Sequence, residues 1–163
     1  MEDKQVSFFR FEDLRVYAKA LDYSGWLLEA LGEPRNEAEK TLCRSFVTSA
    51  MDISLNIAEG SSRSKNQFDH FLKIAKSAIR ECICFTAVAE KVGLLSGENA
   101  ELSRSLLMEQ TRMVGALIIS LQRATHRGDA TSSHSDDYDG DDTEIADDKH
   151  ETDFFDRINA MPD

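Results

Sequence analysis

The fold is decided by residues 52–72, DISLNIAEGSSRSKNQFDHFL, where one helix ends and the next begins. Ile53 and Ile57 recur at helical spacing until Gly60, and glycine commonly ends helices. Ser64, with a glutamine three residues later, forms a capping box, which marks a helix N-terminus. The stretch therefore predicts two helices joined by a short turn.

Similar signals before and after this stretch divide residues 8–127 into four helices. The predicted end of the fourth helix is about Arg127, before Gly128. Because every connection is short, neighbouring helices should pack antiparallel. We therefore predict an all-α, up-and-down four-helix bundle. The other stop and start residues are Gly32, Pro34, Asn36, Gly93 and Ser96.

Apolar residues at helical spacing predict which side of each helix faces the core. The expected stripes are Leu14, Leu21 and Leu28 in the first helix; Leu42, Phe46, Ala50, Ile53 and Ile57 in the second; Phe68, Phe71, Leu72, Ala75, Ala78, Cys82, Phe85, Ala89 and Val92 in the third; and Leu102, Leu106, Met113, Leu117 and Leu121 in the fourth. Four helices cannot bury every apolar residue, so copies of the chain are expected to associate through the remainder. The remainder includes Trp26, Leu27, Leu55, Ile118 and Ile119.

Charge is distributed unevenly along the chain. Residues 1–127 contain 17 acidic and 17 basic residues, whereas residues 128–163 contain 13 and 2, so the whole net charge of −11 lies in the second part. Residues 128–163 have few aliphatic side chains, which predicts a disordered acidic tail. We expect this tethered negative charge to compete with phosphate groups for basic surfaces of the bundle.

The acidic tail also contains apolar residues at helical spacing within residues 152–161, behind Thr152 and Asp153, either of which can cap a helix. This pattern predicts a short helix that docks in a partner's groove or on the bundle itself. The alternative is an incidental apolar end, because so short a helix is unstable alone. The apolar residues are Phe154, Phe155, Ile158 and Met161.

The sequence lacks the patterns that catalysis would require. A di-iron bundle needs Glu-x-x-His pairs, and residues 1–127 contain none. Glycine-rich phosphate loops and Gly-x-Ser-x-Gly elbows are also missing from the sequence. Cys82 and Cys84 point in different directions on a helix, so they cannot share a metal, and each is expected to pack in the core. We predict no enzyme, no metal and no cofactor.

Cysteine usage and hydropathy indicate a cellular location. Three cysteines inside apolar helical patterns do not resemble a disulfide framework. Residues 1–5 have no signal-peptide character, and no run approaches the roughly 20 apolar residues of a membrane span. A cytoplasmic protein without membrane association is expected.

Basic residues form two stripes on the predicted helices. One consists of Arg63, Lys65, Lys73, Lys76 and Arg80, and the other of Arg112, Arg123 and Arg127. Each is a candidate nucleic-acid-binding surface or a solvated face balanced by acidic neighbours such as Asp69 and Glu81, and both interpretations remain open. No aromatic stacking platform interleaves the basic residues, which counts against single-strand binding.

Candidate structural or interface roles are assigned to three residues at the end of the second helix, Asn56, Glu59 and Gly60. Asn56 lies one turn from both Ile53 and Gly60, so its amide should point inward and fix the helix against the following loop; ligand binding is the alternative. Glu59 opposes the helix dipole unless Arg63 or a neighbouring subunit compensates it. Glu59 is therefore a candidate interface residue.

Several of these residues resemble a known family pattern. They are Phe11-Glu12-Asp13-Leu14, Tyr17-x-x-Ala20, Asn56-Ile57-Ala58-Glu59-Gly60, Arg63-Ser64, Phe68, Phe71-Leu72-x-Ile74-Ala75 and Glu81. The pattern resembles four-helix-bundle proteins encoded in intervening sequences of bacterial large-subunit ribosomal RNA genes, a family similar to the accessory variability determinant of diversity-generating retroelements. It covers nearly all of residues 8–125. Asp52 replaces the usual Ser, Ser77-Ala78 replaces a Gly-Ser pair, and the acidic tail lies outside the pattern.

The resemblance implies a homopentameric ring without catalytic residues. For the retroelement relatives it also implies a basic surface that binds nucleic acid and a reverse transcriptase. We therefore expect a non-catalytic oligomeric adaptor that binds a protein partner, such as a reverse transcriptase or another nucleic-acid enzyme, together with nucleic acid. The alternative is a protein-only interaction module that presents its acidic tail to a partner.

Overall fold

The computed structural model describes residues 9–131, and side chains as far as His126. A 3-10 turn, Arg10–Asp13, precedes four helices. The helices are α1 (Arg15–Ala30), α2 (Glu37–Ser61), α3 (Lys65–Lys91) and α4 (Gly97–Thr131). Each helix packs against the next, and α4 packs against α1. This arrangement confirms the predicted up-and-down four-helix bundle.

The helix starts follow the predicted capping residues. The side-chain oxygens of Asn36, Ser64 and Ser96 each accept a hydrogen bond from the backbone N–H three residues later, at 2.9, 3.4 and 3.1 Å. These bonds satisfy N–H groups that the first turn of a helix leaves without partners. After α3, Gly93 adopts φ = +78°, a conformation that favours glycine.

The ends of the predicted helices differ from the structure in two places. Acidic residues favour the first turn of a helix, so the sequence predicts that α1 begins with Glu12 and Asp13, but both belong to the preceding 3-10 turn. α4 does not end before Gly128 but continues to Thr131. A glycine inside a helix costs only about 1 kcal/mol relative to alanine, so by itself it does not stop a long helix.

The buried side of α1 differs from the predicted heptad of leucines. Leu14 is buried, but Leu21 and Leu28 are 47% and 62% exposed. Leu14 has extended backbone geometry and precedes the helix, so a helical count that begins there does not apply. The buried residues are instead Val16, Ala20, Tyr23, Ser24 and Leu27. The expected exposure of Leu27 was therefore wrong.

The buried stripe of α4 is also rotated from the predicted one. Leu117 and Leu121 are buried as predicted, but Leu102 is exposed and Leu106 and Met113 are only half-buried. The observed stripe alternates steps of three and four residues: Ala100, Ser103, Leu107, Gln110, Val114, Leu117 and Leu121. Ser103 and Gln110 are polar, so a pattern of apolar residues alone does not reveal this stripe.

The second and third helices follow their predictions more closely. In α2, Phe46, Ala50, Ile53 and Ile57 are fully buried. In α3 the predicted line is buried or half-buried up to Ala89, but Val92 is exposed. Val92 is the C-cap residue of α3, where the helix ends, so the helical spacing of the core stripe no longer applies to it.

A buried chain of hydroxyl groups connects three of the helices. Tyr23 Oη lies 2.9 Å from Ser103 Oγ, which lies 2.7 Å from Thr86 Oγ1. Thr86 in turn donates to the carbonyl of Cys82. Burial raises the pKa of Tyr23 well above its usual range, so the phenol remains neutral in this network. These bonds fix the register of α1, α3 and α4.

The loops at one end of the bundle are bonded to each other. Gly32 N–H donates to Leu94 O at 2.8 Å, and Arg35 Nη2 donates to Val92 O at 2.6 Å. The buried carboxylate of Glu39 accepts bonds from the Arg35 backbone and guanidinium, which lower the Glu39 pKa. In the part of the chain that the structure describes, no helix combines the length and apolar character needed to cross a membrane.

Candidate nucleic-acid and assembly surfaces

The basic residues of α3 lie on its outer side, along the border with α4. Lys73, Lys76 and Arg80 follow one another at helical spacing, and Lys65 lies three turns before Lys76. Lys76 is half-buried, and the other three are exposed. Asp69 shares this stripe and accepts a hydrogen bond from Gln122 of α4 at 3.2 Å. The stripe therefore follows the junction between the two helices.

The basic residues of α4 continue the same surface. Arg112 and Arg123 are both exposed and are eleven residues apart, so they lie on one side of α4. The Gln122–Asp69 bond sets Arg123 beside the first turns of α3. The Ser103–Thr86 contact sets the same antiparallel register at the other end, which places Arg112 near the level of Ala78.

We define the basic face as the exposed α3–α4 surface that carries six basic residues. They are Lys65, Lys73, Lys76, Arg80, Arg112 and Arg123. Asp69 is the one acidic residue within segments 65–80 and 110–126, which contain these six. Lys73 forms a salt bridge with Asp69. Among the residues whose side chains are described, the other five form no salt bridge.

Two further residues of the predicted basic stripes are placed differently. Arg63 lies in the turn after α2 and forms a salt bridge with Glu59. This bond supplies the compensation that Glu59 needs in the last turn of a helix, so neither charge is left alone there. Arg127 belongs to α4, but its side chain lies outside the described part of the structure.

The end of α2 is shaped by close packing against α3. A Cβ atom on Gly60 would lie 2.6 Å from Phe71 Cβ and 2.7 Å from Phe68 Cδ2, so only glycine fits without displacement. The side-chain amide of half-buried Asn56 donates to the carbonyl of Asp52, 2.7 Å away in the same helix. The expected bond from Asn56 to the following loop is therefore replaced by a bond within α2.

The α1–α2 side of the bundle carries exposed apolar residues, which we call the apolar face. Leu21, Leu28, Met51 and Leu55 are 47%, 62%, 43% and 61% exposed. Leu28, Met51 and half-buried Val47 line a shallow groove of about 430 Å³ that extends to Pro34. Because helices pack in the order α1–α2–α3–α4, this face lies opposite the basic face.

The sequence prediction identified only part of the apolar face. Leu55 was expected on the surface, but Leu21 and Leu28 were assigned to the core. Their seven-residue spacing is equally compatible with a core stripe and with an exposed interface stripe. Trp26 and Ile118 are half-buried against the core, and Ile119 is exposed on α4, on the side of Arg112 and Arg123.

The described residues do not assemble an obvious reaction centre. Cys82 is buried as predicted, but Cys84 is exposed, so its predicted core packing is wrong. Burial raises the pKa of the Cys82 thiol to about 12, so it is a poor nucleophile at neutral pH. Within residues 9–126, no three His, Cys, Asp or Glu side chains are grouped closely enough to hold a metal ion. The candidate docking residues Phe154, Phe155, Ile158 and Met161 lie outside the described residues.

Comparison with known proteins gives one family match. The model of the 23S rRNA-intervening sequence protein family matches residues 12–116. The matched region extends from the 3-10 turn through most of α4 and stops before the acidic tail. No curated protein gives a significant match to the chain.

Proposed function

The chain belongs to the 23S rRNA-intervening sequence protein family, and from this premise we propose that it is a non-catalytic oligomeric adaptor. Copies associate through the apolar face, and the basic face binds the phosphate groups of nucleic acid. One observation carries the proposal: exposed apolar and basic surfaces lie on opposite sides of one bundle. One bundle can therefore use both surfaces at once.

The charges of the basic face favour a polyanionic ligand. Five of its six cations have no acidic partner among the described side chains, so no existing salt bridge must break before they bind phosphate. Neutralising phosphates with lysine and arginine releases counterions from nucleic acid, which drives binding at low salt. A surface of this kind recognises the backbone and does not by itself read sequence.

The side chains on the basic face favour a duplex over a single strand. Single-strand binding usually depends on aromatic rings on which bases stack. In segments 65–80 and 110–126 the only phenylalanines are Phe68, which is buried, and Phe71, which packs over Gly60. We propose double-stranded RNA or an RNA–DNA hybrid as the ligand class.

The apolar face supports the proposed self-association. Leu28 and Leu55 are each more than half exposed, an arrangement that costs free energy unless a partner covers them. An apolar strip edged by polar residues such as Arg44 and Thr48 is typical of protein–protein interfaces. The family resemblance favours a pentamer, which would repeat the basic face five times.

The proposal also includes a protein partner and a cellular location. The resemblance to retroelement accessory proteins suggests a reverse transcriptase or another nucleic-acid enzyme as the partner. Such a partner would share the duplex that the basic face holds. The absence of a spanning helix from the described region and the free thiols of Cys43, Cys82 and Cys84 are compatible with a cytoplasmic location.

A salt titration with a fluorescent RNA duplex tests the proposal. The double variant Arg80→Gln/Arg112→Gln should weaken binding and lower the slope of log affinity against log salt by up to about 2. The matched control is Lys40→Gln/Arg44→Gln, which removes two exposed cations of α2, away from the basic face. If the full chain shows no binding even at low salt, and neutralising acidic residues does not reveal any, the protein-only alternative replaces this proposal.

A further inference from the structure

We infer that residues 136–148 of the acidic tail lie on the basic face of the same molecule when no nucleic acid is bound. This inference rests on the proposed function, because it assigns a regulator to the same surface. Phosphate groups must displace the acidic segment before they bind. Nucleic-acid binding is therefore self-inhibited.

The charge of the basic face favours binding of a negatively charged segment. Lys73, Lys76 and Arg80 follow one another at steps of three and four residues on α3, and Asp69 pairs with only one of the six cations. Like charges held close together repel each other, and an acidic segment would relieve this repulsion. In the free protein this face is therefore a ready site for an acidic peptide.

The acidic segment matches this requirement in charge. Residues 136–148 contain eight acidic residues and no basic one: Asp136, Asp137, Asp139, Asp141, Asp142, Glu144, Asp147 and Asp148. Both the acidic segment and a nucleic-acid backbone therefore present closely spaced negative charges to the same cations.

The end of α4 places the segment next to its site. α4 carries Arg123 in its second half and continues to Thr131, so the chain leaves the helix at the end of the bundle where Lys65 begins α3. Four residues separate Thr131 from Asp136. Thirteen residues reach up to about 43 Å when extended. The stripe from Lys65 to Arg80 is about 22 Å long, so the segment can cover it.

The apolar face is a less accessible destination for the same segment. Its groove lies near Leu28 and Pro34, close to the opposite end of the bundle. α4 is 35 residues long, so reaching this end requires the chain to return over most of about 52 Å. It would also carry eight carboxylates to an apolar surface.

Tethering makes the contact effective even though each ion pair is weak. Exposed salt bridges contribute little individually. A flexible tether, however, maintains an effective concentration in the millimolar range, so the segment competes with nucleic acid at all protein concentrations. Salt screens the attraction between the acidic segment and the basic face, so the inhibition should be strongest at low salt.

The test compares two full-length variants with the same net charge. In the tail variant, Asp136, Asp137, Asp141 and Asp142 are replaced by Asn. In the control, the exposed residues Asp22, Glu29, Glu33 and Glu98 are replaced by Asn or Gln. At low salt the tail variant should bind the RNA duplex about tenfold more tightly than the control. Both retain all residues of α4, whereas a chain ended at Arg127 would lose its last turn.

Zero-length carbodiimide crosslinking supplies an independent readout without nucleic acid. The unmodified chain should form crosslinks from residues 136–148 to Lys65, Lys73 and Lys76, and the duplex should suppress them. Lys40, exposed on α2, serves as the reference lysine. Mixing isotope-labelled and unlabelled chains distinguishes crosslinks within one chain from those between copies.

The outcomes separate this inference from the proposed function. Equal duplex affinities for the two variants, or crosslinks no more frequent than to Lys40, would overturn self-inhibition. If Arg80→Gln/Arg112→Gln still weakened binding, the proposed function would stand. Crosslinks only between differently labelled chains would overturn coverage within one molecule. If neither variant bound the duplex, the proposed function would fail, and the crosslinks alone would decide where the segment lies.

Discussion

At the residue scale, Gly60 lies where the last turn of α2 meets the first turn of α3. Phe68 and Phe71 occupy the space that any side chain would need. The short turn between the helices leaves little freedom to move them apart. This explains a glycine inside a helix, where glycine is otherwise unfavourable.

Gly60→Ala should therefore reduce the free energy of unfolding by about 1–3 kcal/mol, because an added methyl group overpacks the contact. Gly25→Ala is the matched control, since Gly25 is helical and has no atom within 4 Å of its Cβ position. The control should be neutral or stabilising by up to about 1 kcal/mol. Denaturant unfolding measures both, and equal effects would contradict the close-packing explanation.

Glu39 should make the stability of the folded protein depend on pH. Hydrogen bonds from Arg35 lower the Glu39 pKa, so the folded state favours the charged form. Its contribution to stability is present above the ordinary glutamate pKa of about 4.3. It is lost as the pH falls below that value and through the lowered pKa of the folded state.

Glu39→Gln should consequently be less stable than the unmodified chain at pH 7, and the difference should shrink as the solution is acidified. Urea unfolding across this pH range measures the change. Glu37→Gln is a suitable control, because Glu37 is an exposed glutamate in the same first turn. A deficit independent of pH would show that the carboxylate charge is not responsible.

The three thiols should differ in reactivity according to their burial. Cys84 is exposed, Cys43 is half-buried, and burial raises the Cys82 pKa to about 12. With a thiol reagent at pH 8, Cys84 should react first and Cys82 only after unfolding. Cys84→Ser should remove the fast phase. Rapid labelling of Cys82 in the folded protein would contradict the structure.

At the element scale, α1 has two distinct apolar sides. Leu27 is fully buried, whereas Leu28 is 62% exposed on the apolar face. The two neighbouring leucines point in different directions because one residue corresponds to about 100° of helix rotation. They therefore provide a matched pair for separating folding from assembly.

Leu27→Ala should cost about 2–5 kcal/mol of stability, because it leaves a cavity between the helices. Leu28→Ala should change monomer stability by less than about 0.5 kcal/mol. Its main effect should be to weaken self-association, which analytical ultracentrifugation measures. Reversed effects would show that α1 is rotated relative to the structure.

At the scale of the whole molecule, the two faces are opposite sides of one rigid scaffold. The buried Tyr23–Ser103–Thr86 chain and the Lys19–Glu109 salt bridge connect α1 to the α3–α4 pair. The apolar and basic faces are therefore held in a fixed relation. Assembly through the apolar face would direct every basic face outward.

The double variant Leu28→Ser/Leu55→Ser should produce a monomer that retains its helical circular dichroism. Light scattering at micromolar concentration should show an oligomer for the unmodified chain and a monomer for the variant. Ile74→Ser/Val88→Ser, which changes two exposed apolar residues on α3, serves as the control. A monomeric unmodified chain would remove the basis for a multivalent basic surface.

The helices and their starting residues were predictable from local sequence patterns. The capping residues Asn36, Ser64 and Ser96 fixed the helix starts, because a side-chain oxygen near the first turn acts locally. The deep cores of α2 and α3 were also predictable, since their large apolar residues share one side. The uneven charge distribution and both basic stripes were visible as spacing alone.

The rotation of α1 and α4 and the surroundings of each charge depend instead on how the helices pack together. Ser103 and Gln110 are buried while Leu21, Leu28 and Leu102 are exposed, because a helix's orientation depends on contacts with two neighbours. Likewise, spacing cannot show that Glu59 pairs with Arg63 while Arg80 and Arg112 have no acidic partner among the described side chains. Such pairings depend on distances between elements, and these distances exist only once the helices have packed.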